Sequence, residues 1–325
     1  MQIKKIITKR YYQKHPALQL VYEWEEVFKR ELNASYIIDF NNVTMAKKFG
    51  KLYNLFPLCT RKPALLIDMN PKDRITPHDN RSNVIPYIID FYFKGEDDLN
   101  FFYKNYNKHK LIFISSIEVF EFLKSVNCPL NIEHLALSIT DDLSITPDSH
   151  FDKEFDVLLM GRQNPVLTGW LERYRETHKD LRVVSCKRED GHYNYYDQNG
   201  VFMGNADERE GVIELLKKSR IGLYTTKGVD GDGMDDTHGF SQVTPRFLEY
   251  IATGNHIIAR YIKNSDSDFY EMNKICSNTE SYEDFERQVD NARKSEVDMK
   301  FYSDYLQKHY TSTRVKEFNE KIKSI

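Results

Sequence analysis

The chain has 325 residues and a formal charge of −3, long enough for two domains and too evenly charged for a nucleic-acid footprint. Hydrophobic residues make up 40% of it, which supports packed cores and excludes a disordered chain. Its cysteines, Cys59, Cys128, Cys186 and Cys276, form no CxxC pair, so reduced structural thiols in a cytoplasmic protein are expected rather than disulfides or zinc.

The start, Met1 to Ile7, has too short an apolar run for a signal peptide, and no window approaches the ~20 apolar residues of a membrane span. Residues 3 to 8 alternate weakly as a first strand. His15 then precedes Pro16, which opens a helix with Leu20, Val21, Trp24, Val27 and Phe28 at helical spacing. Strands follow at Tyr36-Ile-Ile38, Ala64 to Asp68, Val84 to Asp90, Leu111 to Ser115 and Ile132 to Leu137. Helices are predicted near 44 to 55, 96 to 106 and 117 to 126. Strands and helices in this alternation predict a parallel sheet covered on both faces. A polar stretch over 141–153 reads as a linker between a domain at 1–140 and a second at 154–300, with a helical tail over 301–325.

The alternation restarts at Phe155 to Met160, a strand with Gly161-Arg162-Gln163 as the turn above its carboxyl end. A helix over 166–178 and a strand over Leu181 to Ser185 come next, then a loop rich in Tyr, Asn and Asp that reaches Val201-Phe-Met-Gly204. Asp207 is the expected cap of a helix to Lys218, and Ile221 to Thr225 is a strand. In the acidic loop at 227–236, Met234 and Asp235 occupy positions five and six counted from Asp230. They break the calcium-loop pattern, and a mobile loop that orders with ligand is expected.

The most informative stretch is Thr237 to Gly254, followed by a buried strand. Thr244 is the expected N-cap, Pro245 suits the first helical position and Gly254 suits the stop. Free N–H groups and a partial positive charge make such a helix start an anion site, and Arg246 adds a planar fork suited to phosphate. Glu249, set among Phe247, Leu248, Tyr250 and Ile251, is costly to bury unless it is hydrogen-bonded, and the hydroxyls of a ribose would do so. An ordinary capped helix with a surface Arg and Glu fits the same residues equally well.

The segments Asp156-Val-Leu-Leu-Met-Gly-Arg162, Val201 to Gly204, Thr244-Pro-Arg-Phe-Leu-Glu-Tyr-Ile-Ala-Thr-Gly254 and His309 to Arg314 resemble the GT-B glycosyltransferases, especially the group related to the spore-maturation protein CgeB. That resemblance implies an α/β fold of two facing Rossmann-like domains with a cleft between them and a C-terminal helix returning to the first. A nucleoside-diphosphate sugar would sit on the second domain, and a glycan, lipid-linked or other hydroxyl acceptor on the first. By position, Glu249 would hold the ribose. Arg246, Arg162 and the N–H groups at Val243 and Thr244 would hold the diphosphate above Gly161, and a turn at Met203 and Gly204 would face the base. No metal or other cofactor is implied. Two departures leave the donor sugar and the stereochemical course open. Ser241 stands where many retaining relatives carry a second Glu, and Leu167 where they carry a Lys.

Transfer also needs a base. His15 and Asp90, at predicted strand ends, are the candidates, and His238 on the loop before the phosphate helix is a candidate donor contact. Each also reads as an ordinary loop or strand-end residue. The basic residues Lys4, Lys5, Lys9, Arg10 and Lys14 suit peripheral contact with anionic lipid or simple solvation. An epimerase or hydrolase of the same fold, or a non-catalytic nucleotide-binding protein, remains an alternative to a glycosyltransferase.

Overall fold

The computed structural model describes residues 2–10, 16–38, 62–70, 81–231 and 233–323. His15 and the helix expected near 44 to 55 lie outside these residues. The described residues form two compact units. The first holds Met1–Asp141 and Tyr310–Ile325, and the second Asp142–His309.

In the first unit six parallel strands lie in the order β2-β1-β3-β4-β5-β6. They are β1 (Lys5–Thr8), β2 (Ser35–Ile38), β3 (Ala64–Asp68), β4 (Val84–Ile88), β5 (Ile112–Ile114) and β6 (Ile132–His134). The central strands β3 and β4 are buried throughout, as a sheet covered on both faces requires. Pro86 sits in β4, and pairing with β5 begins only at Tyr87. The helices are α1 (Pro16–Leu32), α2 (Glu96–Tyr106) and α3 (Ile117–Ser125).

The second unit has the strand order β10-β9-β8-β7-β11-β12. Its strands β7 (Phe155–Leu159), β8 (Val183–Glu189), β11 (Ser219–Thr225) and β12 (His256–Arg260) are parallel. Here the structure corrects the expected loop after Ser185. The segment forms β9 (His192–Asp197) and β10 (Phe202–Asn205), antiparallel strands that extend the sheet. The hairpin between β8 and β9 turns at Asp190-Gly191, both left-handed at φ 51° and 89°, as a two-residue turn with primed geometry demands.

Helices α4 (Pro165–Thr177) and α9 (Tyr282–Lys294) cover one face, joining Val157, Val183, Ile221 and Leu223 in one core with Leu171, Phe285 and Val289. The opposite face receives α5 (Arg209–Lys218) and α6 (Pro245–Ala252), with Tyr250 of α6 lying against Gly222 of β11. Short helices α7 (Ser265–Phe269) and α8 (Met272–Ile275) precede α9.

The helical tail is divided. Its first part, α10 (Met299–Leu306), belongs to the second unit, and α11 (Thr311–Ile322) belongs to the first. The chain enters the first unit where Tyr310 bridges Ile139 and the Thr311 N–H donates to the Ile139 carbonyl at 2.9 Å. Residues 142–153 pack with the second unit, where the Ser303 hydroxyl donates to the Ile145 carbonyl at 3.0 Å. No helix among the described residues is long and apolar enough to cross a membrane.

Candidate nucleotide-diphosphate site

Helix α6 starts where the sequence places it, but by a different device. The Thr244 side chain makes no capping bond to the helix. Its N–H instead donates at 2.9 Å to the hydroxyl of Tyr224, a buried residue near the end of β11, which ties the helix tip to the sheet. Pro245 takes the first helical position, and Gly254, at φ 63°, ends the helix. Val243 is buried just before the tip.

Glu249 is 3% exposed, so its carboxylate stands or falls on its partners. Arg209, the first residue of α5, reaches its Oε1 at 2.5 Å, and Arg246 reaches its Oε2 at 3.2 Å. Burial alone pushes the carboxyl up. The charges of Arg209 and Arg246 outweigh that and hold it below the ordinary carboxylate value, so Glu249 is ionised at neutral pH. Two guanidinium groups of the chain itself thus partner the carboxylate at which a ribose is expected. Arg209 gave no sign of this in the sequence, because it opens a different helix and meets Glu249 only through the fold.

Arg246 also donates to the sulfur of Met160 at 3.5 Å, which places the guanidinium beside the carboxyl end of β7. Gly161 follows at φ 76°, and both it and Arg162 are exposed. Two cations and one anion therefore meet at the tip of α6, an excess of one positive charge added to the helix's own partial charge.

The other expected residues are placed as follows. His238 is exposed on the loop before α6, in the left-handed region at φ 50°. Met203 and Gly204 do not form a turn. They lie in the edge strand β10, with the Met203 sulfur 3.9 Å from Arg182 and Gly204 paired with Tyr195 across a bulge. Tyr195 is buried and feels the charge of Arg246. Asp207 does not cap α5. Its carboxylate accepts from the Tyr193 N–H at 2.7 Å and pairs with His192 at 2.5 Å, bracing the hairpin. Asp90, expected to end its strand, lies two residues beyond β4 in the first unit, half-buried, and its N–H donates to the Met69 carbonyl at 2.8 Å. In the acidic loop Asp230 pairs with Arg260 of β12, and Lys227 pairs with Asp236 within the loop itself at 3.5 Å. Among the described residues no group of three His, Cys, Asp or Glu side chains is placed to hold a metal ion.

No protein-family model matches the chain, and no curated protein matches it by sequence. Solved structures do resemble it. A Staphylococcus aureus TarM variant in complex with fondaparinux, alpha-GlcNAc-glycerol and UDP superposes with a TM-score of 0.55 at 15% identity, covering 82% of this chain and 57% of that one. Sucrose-phosphate synthase from Thermosynechococcus elongatus gives 0.55 at 8% identity over 100% of this chain and 99% of its own. The fold is that of the GT-B glycosyltransferases. The pneumococcal O-GlcNAc transferase GtfA, in complex with UDP and GlcNAc, gives 0.50 at 12% identity over 86% of this chain and 59% of that one. The chain thus spans less than two thirds of the length of TarM or GtfA.

Proposed function

We propose that the chain is a glycosyltransferase that moves a sugar from a nucleoside diphosphate to a hydroxyl acceptor, a glycan or a lipid-linked one. The observation that carries this is the placement of Arg246, Arg209 and Glu249 at the start of α6. Positive charge in excess at a helix tip suits a diphosphate, whose negative charge grows as the bond from sugar C1 to phosphate oxygen breaks. Each Glu249 oxygen bonded to a guanidinium keeps a second acceptor direction, which the ribose hydroxyls would use. In this reading Arg162 and the Val243 N–H complete the phosphate contacts, with His238 toward the donor sugar, while the Thr244 N–H is already given to the Tyr224 hydroxyl. Asp90 in the first unit is the candidate base, tested by Asp90→Asn.

TarM and GtfA were solved with UDP, and a Burkholderia vietnamiensis relative in fold is a UDP-forming trehalose-phosphate synthase, so UDP is the nucleotide to try first. Arginine charge serves where a metal ion would otherwise stand, and we read the enzyme as cytoplasmic and metal-independent. Within the fold, the motif around Glu249 favours the CgeB-related group.

Calorimetric titration of UDP and GDP in a chelating buffer tests the reading. Wild type is expected to bind at least one nucleotide, and Arg246→Ala to weaken it by about 10- to 100-fold, the worth of one charge-assisted hydrogen bond. If wild type binds neither, or Arg246→Ala binds as tightly, the site is wrong.

A further inference from the structure

We propose that Asp230 is a positioning residue for this site, anchoring the chain ahead of the loop over 233–243 so that the approach to α6 is built before nucleotide arrives. The inference rests on the reading of α6 as the donor site. Asp230 lies in the left-handed region at φ 54°, where a residue with a β-carbon stays only if its surroundings hold it. Here two partners hold it through three hydrogen bonds. Its Oδ2 accepts from the Asn164 side-chain nitrogen at 2.8 Å and from Arg260 Nε at 2.5 Å, while its Oδ1 accepts from Arg260 Nη2 at 2.6 Å. The second and third contacts make a two-pronged fork, the strongest arrangement available to this pair.

Both partners are themselves immobilised. Asn164 is 3% exposed, and its Oδ1 caps α4 by accepting from the N–H groups of Val166 and Leu167 at 3.0 Å. Arg260 ends β12, donates through Nη1 to the Thr279 carbonyl at 2.7 Å, and lies 5.3 Å from the centre of the Trp170 ring. One carboxylate therefore joins the start of α4 to the end of β12.

The far end of the loop is fastened separately. The hydroxyls of Thr226 and Ser241 lie 2.5 Å apart, and the Asn264 side chain donates to the Ser241 carbonyl at 3.1 Å. Between these fastenings the exposed apex carries His238 and Gly239, both with positive φ, and the loop then runs directly into Thr244. Ser241 is thus a fastening in this chain, which gives a physical role to the position where many retaining relatives carry a Glu.

A loop held in its binding form adds no ordering cost when ligand arrives. If releasing Asp230 leaves the loop in that form one tenth of the time, the apparent affinity falls tenfold. The test compares wild type, Asp230→Ala, Arg260→Ala and the double variant by amide hydrogen exchange and by titration with UDP and GDP. Asp230→Asn replaces the alanine variant if the latter loses cooperative unfolding. Each single variant is expected to raise exchange over residues 233–243 at least tenfold with β7 and β11 unchanged, and to weaken nucleotide binding about tenfold. The double variant should be no weaker than the singles, and saturating nucleotide should return the loop's exchange to the wild-type level. Unchanged loop exchange, or faster exchange with undiminished affinity, would overturn the proposal. If wild type binds neither nucleotide, the function proposed above fails, and the exchange comparison alone decides whether Asp230 anchors the loop.

Discussion

Glu249 is held by two cations, so replacing it tests stability as much as binding. Glu249→Ala leaves Arg209 and Arg246 facing each other with no anion between them, and breaking a buried pair of this kind costs about 3–5 kcal/mol. The urea midpoint should fall accordingly, and Glu249→Gln, which keeps the shape, should fall by less. An unchanged midpoint in Glu249→Ala would show that the carboxylate is not the charge partner described. This is also why Arg246→Ala, at a side chain left 25% exposed, gives the cleaner reading of nucleotide binding.

A second residue ties stability to pH. Burial, with Lys321 nearby, holds the His134 imidazole down to about 4 from its ordinary 6.5, while Glu317 pulls the other way; the ring nitrogen lies 3.1 Å from the Ser115 carbonyl. Between these two values the unfolded chain binds a proton that the folded chain does not. Stability from this residue is therefore whole above pH 6.5 and is lost as pH falls toward 4, by about 3 kcal/mol in all. Urea midpoints between pH 4 and 7 should show this slope in wild type and a shallower one in His134→Phe. Equal slopes would remove His134 as the cause.

At the scale of elements, what the sequence made legible was the local. Thr244-Pro245 and Gly254 bracket α6 by their own backbone preferences, and the apolar runs of β3 and β4 announce buried parallel strands. The β8–β9 hairpin was hidden because Tyr, Asn and Asp side chains mask its alternation, although Asp190-Gly191 was a turn signal in plain view. The contact of α6 with its sheet was not legible at all, since it depends on one missing side chain. Gly222 lets the Tyr250 ring lie on β11, where the phenol donates to the Leu223 carbonyl at 3.2 Å, and a β-carbon there would overlap the ring. Gly222→Ala should therefore displace α6 and lower stability by about 1–3 kcal/mol, the ordinary cost of overpacking. Because the helix carries Arg246 and Glu249, nucleotide affinity should fall with it. A variant with wild-type midpoint and affinity would refute this packing.

For the whole molecule, the tail is the element whose allegiance sequence could not decide. The tail over 301–325 reads as one helix, yet the chain breaks after Leu306 and sends only Thr311–Ile322 into the first unit. The reason lies in contacts made across nearly the full length of the chain. Phe318 is fully buried, with its ring 5.5 Å from Phe28 of α1 and 5.0 Å from Phe113 of β5, while Arg314 donates to the Leu137 carbonyl at 3.3 Å. The last residues of the chain thus complete the core of the unit formed by the first. Phe318→Ala should remove about 3–5 kcal/mol from that unit, the cost of emptying a buried aromatic site. The ion pairs that join Arg246 and Arg209 to Glu249 lie within the second unit, so the nucleotide affinity proposed for them should be unchanged. Urea unfolding followed by hydrogen exchange separates the two units. The expected pattern is earlier opening of β1, β4 and β5 with β7 and β11 unaffected, whereas equal loss in both sheets would mean that the units unfold as one.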